Sequence, residues 1–484
     1  MTEPYSAGLG GGGFFVYHDA DTGEVTTIDG RETAPMSMPH DAFIDPESEP
    51  PGEPYNFFPE LVTNGVSVGV PGTPATWSTA LEEYGTLSLR EALKPAARLA
   101  RRGFVVDQTF HDQTADNAER FAAIESTSEL FLPGGEPPEV GSTFRNPDLA
   151  RTYKMLAKRS MNAFYEGPLA TDIVDVVQDP PITPGTDLPV PPGFMETSDL
   201  ADYDVRRPDP THSDYRGLDV YGMAPPSSGG STVGEILNIL EQFDLSSMGI
   251  SDLLHHYLEA GALAYADRAA FLGDSEHVDV PLEQLLSDGF AAERACEIDP
   301  DEAADKPVVA GEPDGDYRTG CVEAAPVGAQ QTDNEGLSTT HLTVVDKEGN
   351  VASYTLTIEQ TGGSAITVPD TGFLLNNELT DFSLVYDEED PNRIEGGKRP
   401  RSSMSPTIVM SDGEPWLALG SPGGSTIITT VAQTLVNRID REMRLPRAIA
   451  APRASQRNTE SVTAEPEFVD TYGAALERYG HTFT

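Results

Sequence analysis

The stretch STTHLTVVDKEGNVASYTLT, Ser338 to Thr357, sets two threonines and a histidine at the mouth of an alternating segment. Apolar residues would start a strand better for packing, so hydroxyls there call for a reason. If Asp346 to Asn350 close a hairpin with Gly349 left-handed, the register puts Thr339 opposite Thr357 and His341 opposite Thr355. A two-residue Glu-Gly turn would shift this by one and separate the hydroxyls. Two β-formers on a half-polar sheet face would account for the threonines without any chemistry. A threonine whose backbone nitrogen became a chain terminus would instead join nucleophile and base in one residue. Its α-amine titrates near ~8 and can take the proton of its own hydroxyl.

Such a terminus needs slack chain upstream, and Cys296 to Gly336 is acidic and poor in apolar residues. Cys296 and Cys321 bracket an acidic segment there and could staple it in an oxidising compartment. His255 and His256 adjoin one another in a helical stretch, without HExxH or any metal-type Cys/His spacing, and are read as scaffold. GSPGGS, Gly420 to Ser425, lacks the Lys and spacing of a phosphate loop. GLGGGG, Gly8 to Gly13, lacks the preceding strand and following helix of a dinucleotide fingerprint.

The elements that must position these residues are mixed. FFVYHDADTGEVTTIDGRETAP reads as a hairpin with Arg31 just beyond its second strand. SLREALKPAARLARRG is a helix closed by Gly103, and helical periodicity returns from Pro147 to Tyr165. QDPPITPGTDLPVPPG is a connector too rigid and polar for core. PPSSGG opens a further helix, and DLLHHYLEAGALAYADRAAFLGD reads as amphipathic. Helices mixed with antiparallel hairpins indicate an α/β layered fold.

The 484 residues carry 79 Asp+Glu against 31 Lys+Arg, a formal charge of −48. Acids spread over every segment suit a surface solvated in concentrated salt, hence a halophilic source. With no basic patch visible along the sequence, nucleic acid and anionic membranes are unexpected partners. No apolar run is long enough to cross a bilayer. The abrupt start and stop suggest truncation at both ends.

The motifs EPYSAGLGGGG, DGRETAP, GVPGTPATW, DLADYDV, PPSSGG, TTH, LLNNELTDF, RPRSSMSPT and GSPGGS follow in this order along nearly the whole chain. Together they resemble the γ-glutamyltransferases (γ-glutamyl transpeptidases) of the N-terminal-nucleophile hydrolase superfamily. The resemblance implies an αββα four-layer sandwich that cuts itself between Ser338 and Thr339. Residues 1–338 would form a large subunit with a mobile acidic tail from about 297 to 338, and 339–484 a small subunit intertwined with it. Thr339 would be the nucleophile, Thr357 its supporting hydroxyl, and the backbone N–H groups of Gly423 and Gly424 the oxyanion hole. Arg31, Ser402 and Ser403 would bind the donor's α-carboxylate; Glu359, Glu378 and Asp381 would bind its α-ammonium, with acids at the first two positions as in the Bacillus-type branch. Three acids around one ammonium should leave one carboxyl with a raised pKa.

No metal or organic cofactor is implied. The connection from Asp381 to Ser402 is shorter than in lid-bearing members, so an open cleft is expected, admitting poly-γ-glutamate beside glutathione or glutamine. Family members are commonly exported, which suggests an extracytoplasmic location. The alternatives are a related acylase or poly-γ-glutamate hydrolase on the same scaffold, and an unprocessed, non-catalytic binding homologue with a bare sheet edge.

Overall fold

The computed structural model describes residues 2–317 and 338–484. Eight strands make its two main sheets: β1 (Gly12–His18), β2 (Val25–Gly30), β3 (Thr211–Tyr215), β4 (Leu218–Gly222), β5 (Thr340–Val345), β6 (Val351–Thr357), β7 (Thr407–Ser411) and β8 (Glu414–Leu419). The first sheet runs β2-β1-β6-β5 and the second β8-β7-β4-β3, with every pairing antiparallel. Strand β6 is central and almost wholly buried, whereas β5 is an edge on which Leu342, Val344 and Val345 stay exposed.

The sheets face each other through β1, β6, β7 and β8, and helices cover the outer faces. Helix α1 (Thr73–Glu83) lies on β1 and β2; beyond it α2 (Leu89–Arg102) pairs with α3 (Pro147–Arg159). Helices α4 (Gly229–Glu241), α5 (Ile250–Phe271) and α6 (Thr426–Ile439) stack over the second sheet. This is the αββα order expected. One apolar core fills the space between the sheets and under α4 to α6, and a second, aromatic-rich core of Tyr5, Phe110, Phe121, Phe131 and Phe144 lies beneath α2 and α3. The start of α2 carries the reciprocal cap of Ser88 and Glu91, and Gly103 ends it at φ +86°.

Four expectations need correction. Helix α5 is buried on all sides from Leu253 to Arg268, because α4, the helix Asp288–Ala295 and the C-terminal residues enclose it. The chain from 298 to 317 is pinned, not slack. Ile298 is core, Lys306 Nζ lies 2.9 Å from both Glu259 oxygens, Val308 exchanges two hydrogen bonds with Asn458, and Gly311 N donates to Asp267 at 2.5 Å. Part of the predicted tail, and Cys321 with its pairing to Cys296, lies outside the described residues. The Pro-rich connector contributes Val190 to the core and hydrogen-bonds to Gly65 through Pro191 O. A basic patch does exist, since α2 and α3 bring distant cations together.

His255 and His256 sit inside α5, where His255 bridges His481 (2.9 Å) and Asp299 O (2.7 Å). The donor atoms of His255, Glu259 and His481 lie within 4.8 Å of one another. Lys306 already supplies a cation to Glu259, and burial, aided by His255 and Lys306, pushes His481 down to about 3. The cluster is a charge-compensated packing network. Among the described residues no helix is long and apolar enough to cross a membrane.

Candidate active site

The hairpin register sets the site. Asp346 N bonds Asn350 O at 3.1 Å, Gly349 has φ +97°, and Thr340 faces Leu356 while His341 faces Thr355. Thr339, 9% exposed, thereby comes to the end of β6 beside Thr357. Its Oγ1 lies 3.1 Å from Thr357 Oγ1 and 2.6 Å from the Ser338 carbonyl oxygen. Thr357 Oγ1 also donates to that carbonyl at 2.9 Å and accepts from Glu359 N at 2.9 Å. Two hydroxyls therefore converge on the carbonyl of one peptide bond and polarise it. Ser338 Oγ, 3.1 Å from Ser6 Oγ, holds the other side of that bond.

The glycine run before β1 is explained here. A Cβ on Gly11 would collide with Thr357 O, and one on Gly12 with Gly30 O and Glu32, so the run lets β1 close against the site.

Arg31 leaves β2 fully buried. It pairs with Glu378, reaches Asp381 Oδ2 at 2.5 Å, and donates to Pro400 O (3.1 Å) and Arg401 O (2.9 Å). Burial alone would lower its pKa, but the charges of Glu378 and Asp381 raise it, so it stays cationic. Glu378 and Asp381 share one short 3₁₀ turn, Glu378–Asp381.

A fourth acid, Glu32, which the sequence reading passed over within DGRETAP, carries a raised pKa beside these groups. Glu32 is fully buried, and among the described residues neither carboxyl oxygen has a hydrogen-bond partner. Burial first, and then the charge of Glu378, push it well above the usual carboxylate range, against the pull of Arg31. The folded state thus keeps a proton that the unfolded chain releases above its ordinary value of 4.5, so stability falls as pH rises from there. Glu32→Gln is expected to match the parent at acid pH and to exceed it in urea midpoint at neutral pH; equal midpoints throughout would show Glu32 ionised in the fold.

Glu359 follows Thr357 with φ +74°, a strained position for a side-chain residue, and its carboxylate accepts from Asn377. The loop behind it is braced by Arg120, which sequence reasoning missed because it lies in an unremarkable helical run. Arg120 is buried. It donates to Thr63 Oγ1 (2.7 Å), Asn117 Oδ1 (2.7 Å), Val62 O (2.9 Å), Thr361 O (3.0 Å) and Gly363 O. Burial pulls its pKa down to about 10, opposed by the charge of Glu359.

Ser402 and Ser403 follow the carbonyls that hold Arg31. Ser402 Oγ accepts from Met404 N at 3.2 Å, and Ser403 Oγ accepts from Arg268 at 2.9 Å. Gly423 and Gly424 have φ +133° and +55° at the head of α6, a backbone path that favours glycine. Their loop is tied down by Tyr265, which donates to Ser425 O, and Gly420 packs against the His341 ring at the start of β5. Burial pushes His341 down to about 4, so the ring is neutral and hydrogen-bonds to Thr355 at 2.9 Å.

Facing antiparallel sheets between helical layers, with a hydroxyl residue at the open end of a strand, define the scaffold of the N-terminal-nucleophile hydrolases. The cephalosporin acylase from Bacillus halodurans superimposes with TM-score 0.84 at 28% identity, covering 100% of this chain and 82% of that one. The γ-glutamyltranspeptidase of Helicobacter pylori superimposes with TM-score 0.56 at 33% identity, over 61% of this chain and 80% of that one. A gamma-glutamyltranspeptidase family profile matches residues 1–484, and the chain belongs to that family. It is 38% identical over 485 residues to a glutathione hydrolase proenzyme of Bacillus subtilis strain 168, covering 100% of this chain and 79% of that protein. Similarity to the acylase ACY 1 proenzyme of Pseudomonas sp. strain SE83 is 33% over 458 residues, covering 94% and 75%.

Proposed function

We propose that the protein matures by breaking its Ser338–Thr339 bond and then transfers γ-glutamyl groups from glutathione-like donors to water or to amines. The convergence of Thr339 and Thr357 hydroxyls on the Ser338 carbonyl carries this reading. Thr339 Oγ adds to that carbonyl carbon, the C–N bond breaks, and the hydroxyl proton passes to the departing nitrogen, leaving an ester and a free Thr339 amine. Water then cleaves the ester, giving chains 1–338 and 339–484.

In turnover the Thr339 amine takes the proton of its own hydroxyl as Oγ attacks the donor's γ-carbonyl, then passes it to the leaving amine. The backbone N–H groups of Gly423 and Gly424 receive the oxyanion. Arg31, Ser402 and Ser403 take the α-carboxylate, while Glu359, Glu378 and Asp381 take the α-ammonium. The arriving zwitterion replaces part of the pairing between Arg31 and its two acids with its own two charges. Arg120→Lys keeps the charge but loses most of the brace behind Glu359, and is expected to raise donor KM about tenfold with a smaller change in kcat. An unchanged KM would uncouple Arg120 from donor binding.

An amide acylase is the second reading, favoured by the overlap with the cephalosporin acylase. Paired γ-glutamyl and glutaryl anilides separate the two, because only the former carries the ammonium that the acids would bind. The test of maturation is a denaturing gel alongside γ-glutamyl anilide turnover. Turnover by one unbroken chain would end the proposal. An open cleft, an extracytoplasmic location and a working environment of high salt complete the reading; activity confined to small donors would argue against the open cleft.

A further inference from the structure

Helices α2 and α3 enclose a groove of about 730 Å³. Its floor is apolar: Leu93, Ala97 and Tyr153 are buried and Ala157 half-buried. Its rims are cationic, with Arg90, Lys94, Arg98 and Arg101 from α2 and Lys154 and Lys158 from α3, all exposed. Among the described residues none of these six makes an ion pair, although the chain carries 79 acids. The two helices together hold nine Lys and Arg against only Glu91 and Asp148, and Asp148 is taken by Arg151 while Glu91 is held by Ser88. In a protein of charge −48, this concentration runs against the rest of the surface.

The spacing is regular. Arg90, Lys94 and Arg98 recur every fourth residue, as do Lys154 and Lys158, which places successive cations about 6 Å apart along each rim. Solvated surface charge needs neither an apolar floor nor the absence of acids beside it.

We propose that the α2/α3 groove is a docking site for an acidic amphipathic peptide segment of a partner protein. Apolar side chains of the segment would cover the floor, and carboxylates at four-residue spacing would meet the two rims, a helix-in-groove mode of recognition. Charge complementarity selects an anion, and the floor selects among anions. A nucleic-acid duplex has no apolar face to offer the floor, and a flat membrane meets the rims before the floor. A second copy of this chain would set two bodies of charge −48 against each other beyond the groove, where a short segment brings few charges.

The probe is a fluorescein-labelled peptide of about 16 residues with Glu at every fourth position and Leu and Ala between, followed by anisotropy in the salt that supports γ-glutamyl anilide turnover. The parent protein should bind it, and the triple variant K94E/R98E/K154E should bind at least about tenfold more weakly. Ala157→Lys is the sharper arm: it adds positive charge but fills the floor, so the proposed site weakens while a purely electrostatic one tightens. γ-Glutamyl anilide turnover should be unchanged in both variants, which separates failure here from failure of the catalytic reading. Equal binding by the triple variant, tighter binding by Ala157→Lys, or equally tight binding of a single-stranded oligonucleotide, poly-γ-glutamate or anionic vesicles would overturn the proposal.

Discussion

Thr339→Ala is expected to leave the chain uncut and to lower γ-glutamyl anilide turnover by at least about 10³-fold, the scale on which removal of a nucleophile acts. Both effects come from one oxygen. In the structure it is Thr339 Oγ1 that stands 2.6 Å from the Ser338 carbonyl oxygen, and the same atom would be the nucleophile once the amine is free. Thr339→Ser restores a hydroxyl without the γ-methyl, so slow cutting and partial turnover should return together. The gel and the rate must move in step. Turnover at the parent's rate by the alanine variant would remove Thr339 from the mechanism, whereas cutting without turnover would leave it in turnover alone.

Arg31→Lys is expected to lower kcat/KM by about 100-fold, or ~2.7 kcal/mol, chiefly through KM. Lysine keeps a cation beside Glu378 and Asp381, so the two buried acids are not stranded, and the loss reports the planar fork more than the charge. A guanidinium can hold two oxygens of a carboxylate while still donating to Pro400 O and Arg401 O; an ammonium presents one point of contact. Donor saturation curves decide it. If KM for a γ-glutamyl donor stays unchanged while that of a glutaryl analogue is also unchanged, Arg31 supports the fold and not the donor.

Much of the site's backbone was legible in the sequence. The turn around Gly349 set the register by counting, because a left-handed residue at one position leaves a single alignment of β5 with β6. The end of the helix Leu89–Arg102 was read from Gly103, whereas the capping box of Ser88 and Glu91 at its start, an equally local hydrogen-bond device, was found in the structure. The positions of Arg31, Glu378 and Asp381 were read from motifs, although 347 residues separate the first two. Glu32 and Arg120 were missed for the same reason as each other. Each lies in a locally ordinary stretch, and only packing from remote segments strips its water and gives it a role.

By itself the sequence determined the elements whose causes are local: alternation, caps, turn glycines, and the pairing of Thr339 with Thr357 across one hairpin. Tertiary structure alone decided which charges meet. Hydrogen bonds along a strand or helix link neighbours in the chain, so their pattern is written in order. Burial and Coulomb interaction act through space, so the raised pKa of Glu32, the braced Glu359 and the cationic groove of α2 and α3 emerge only once distant segments are packed side by side.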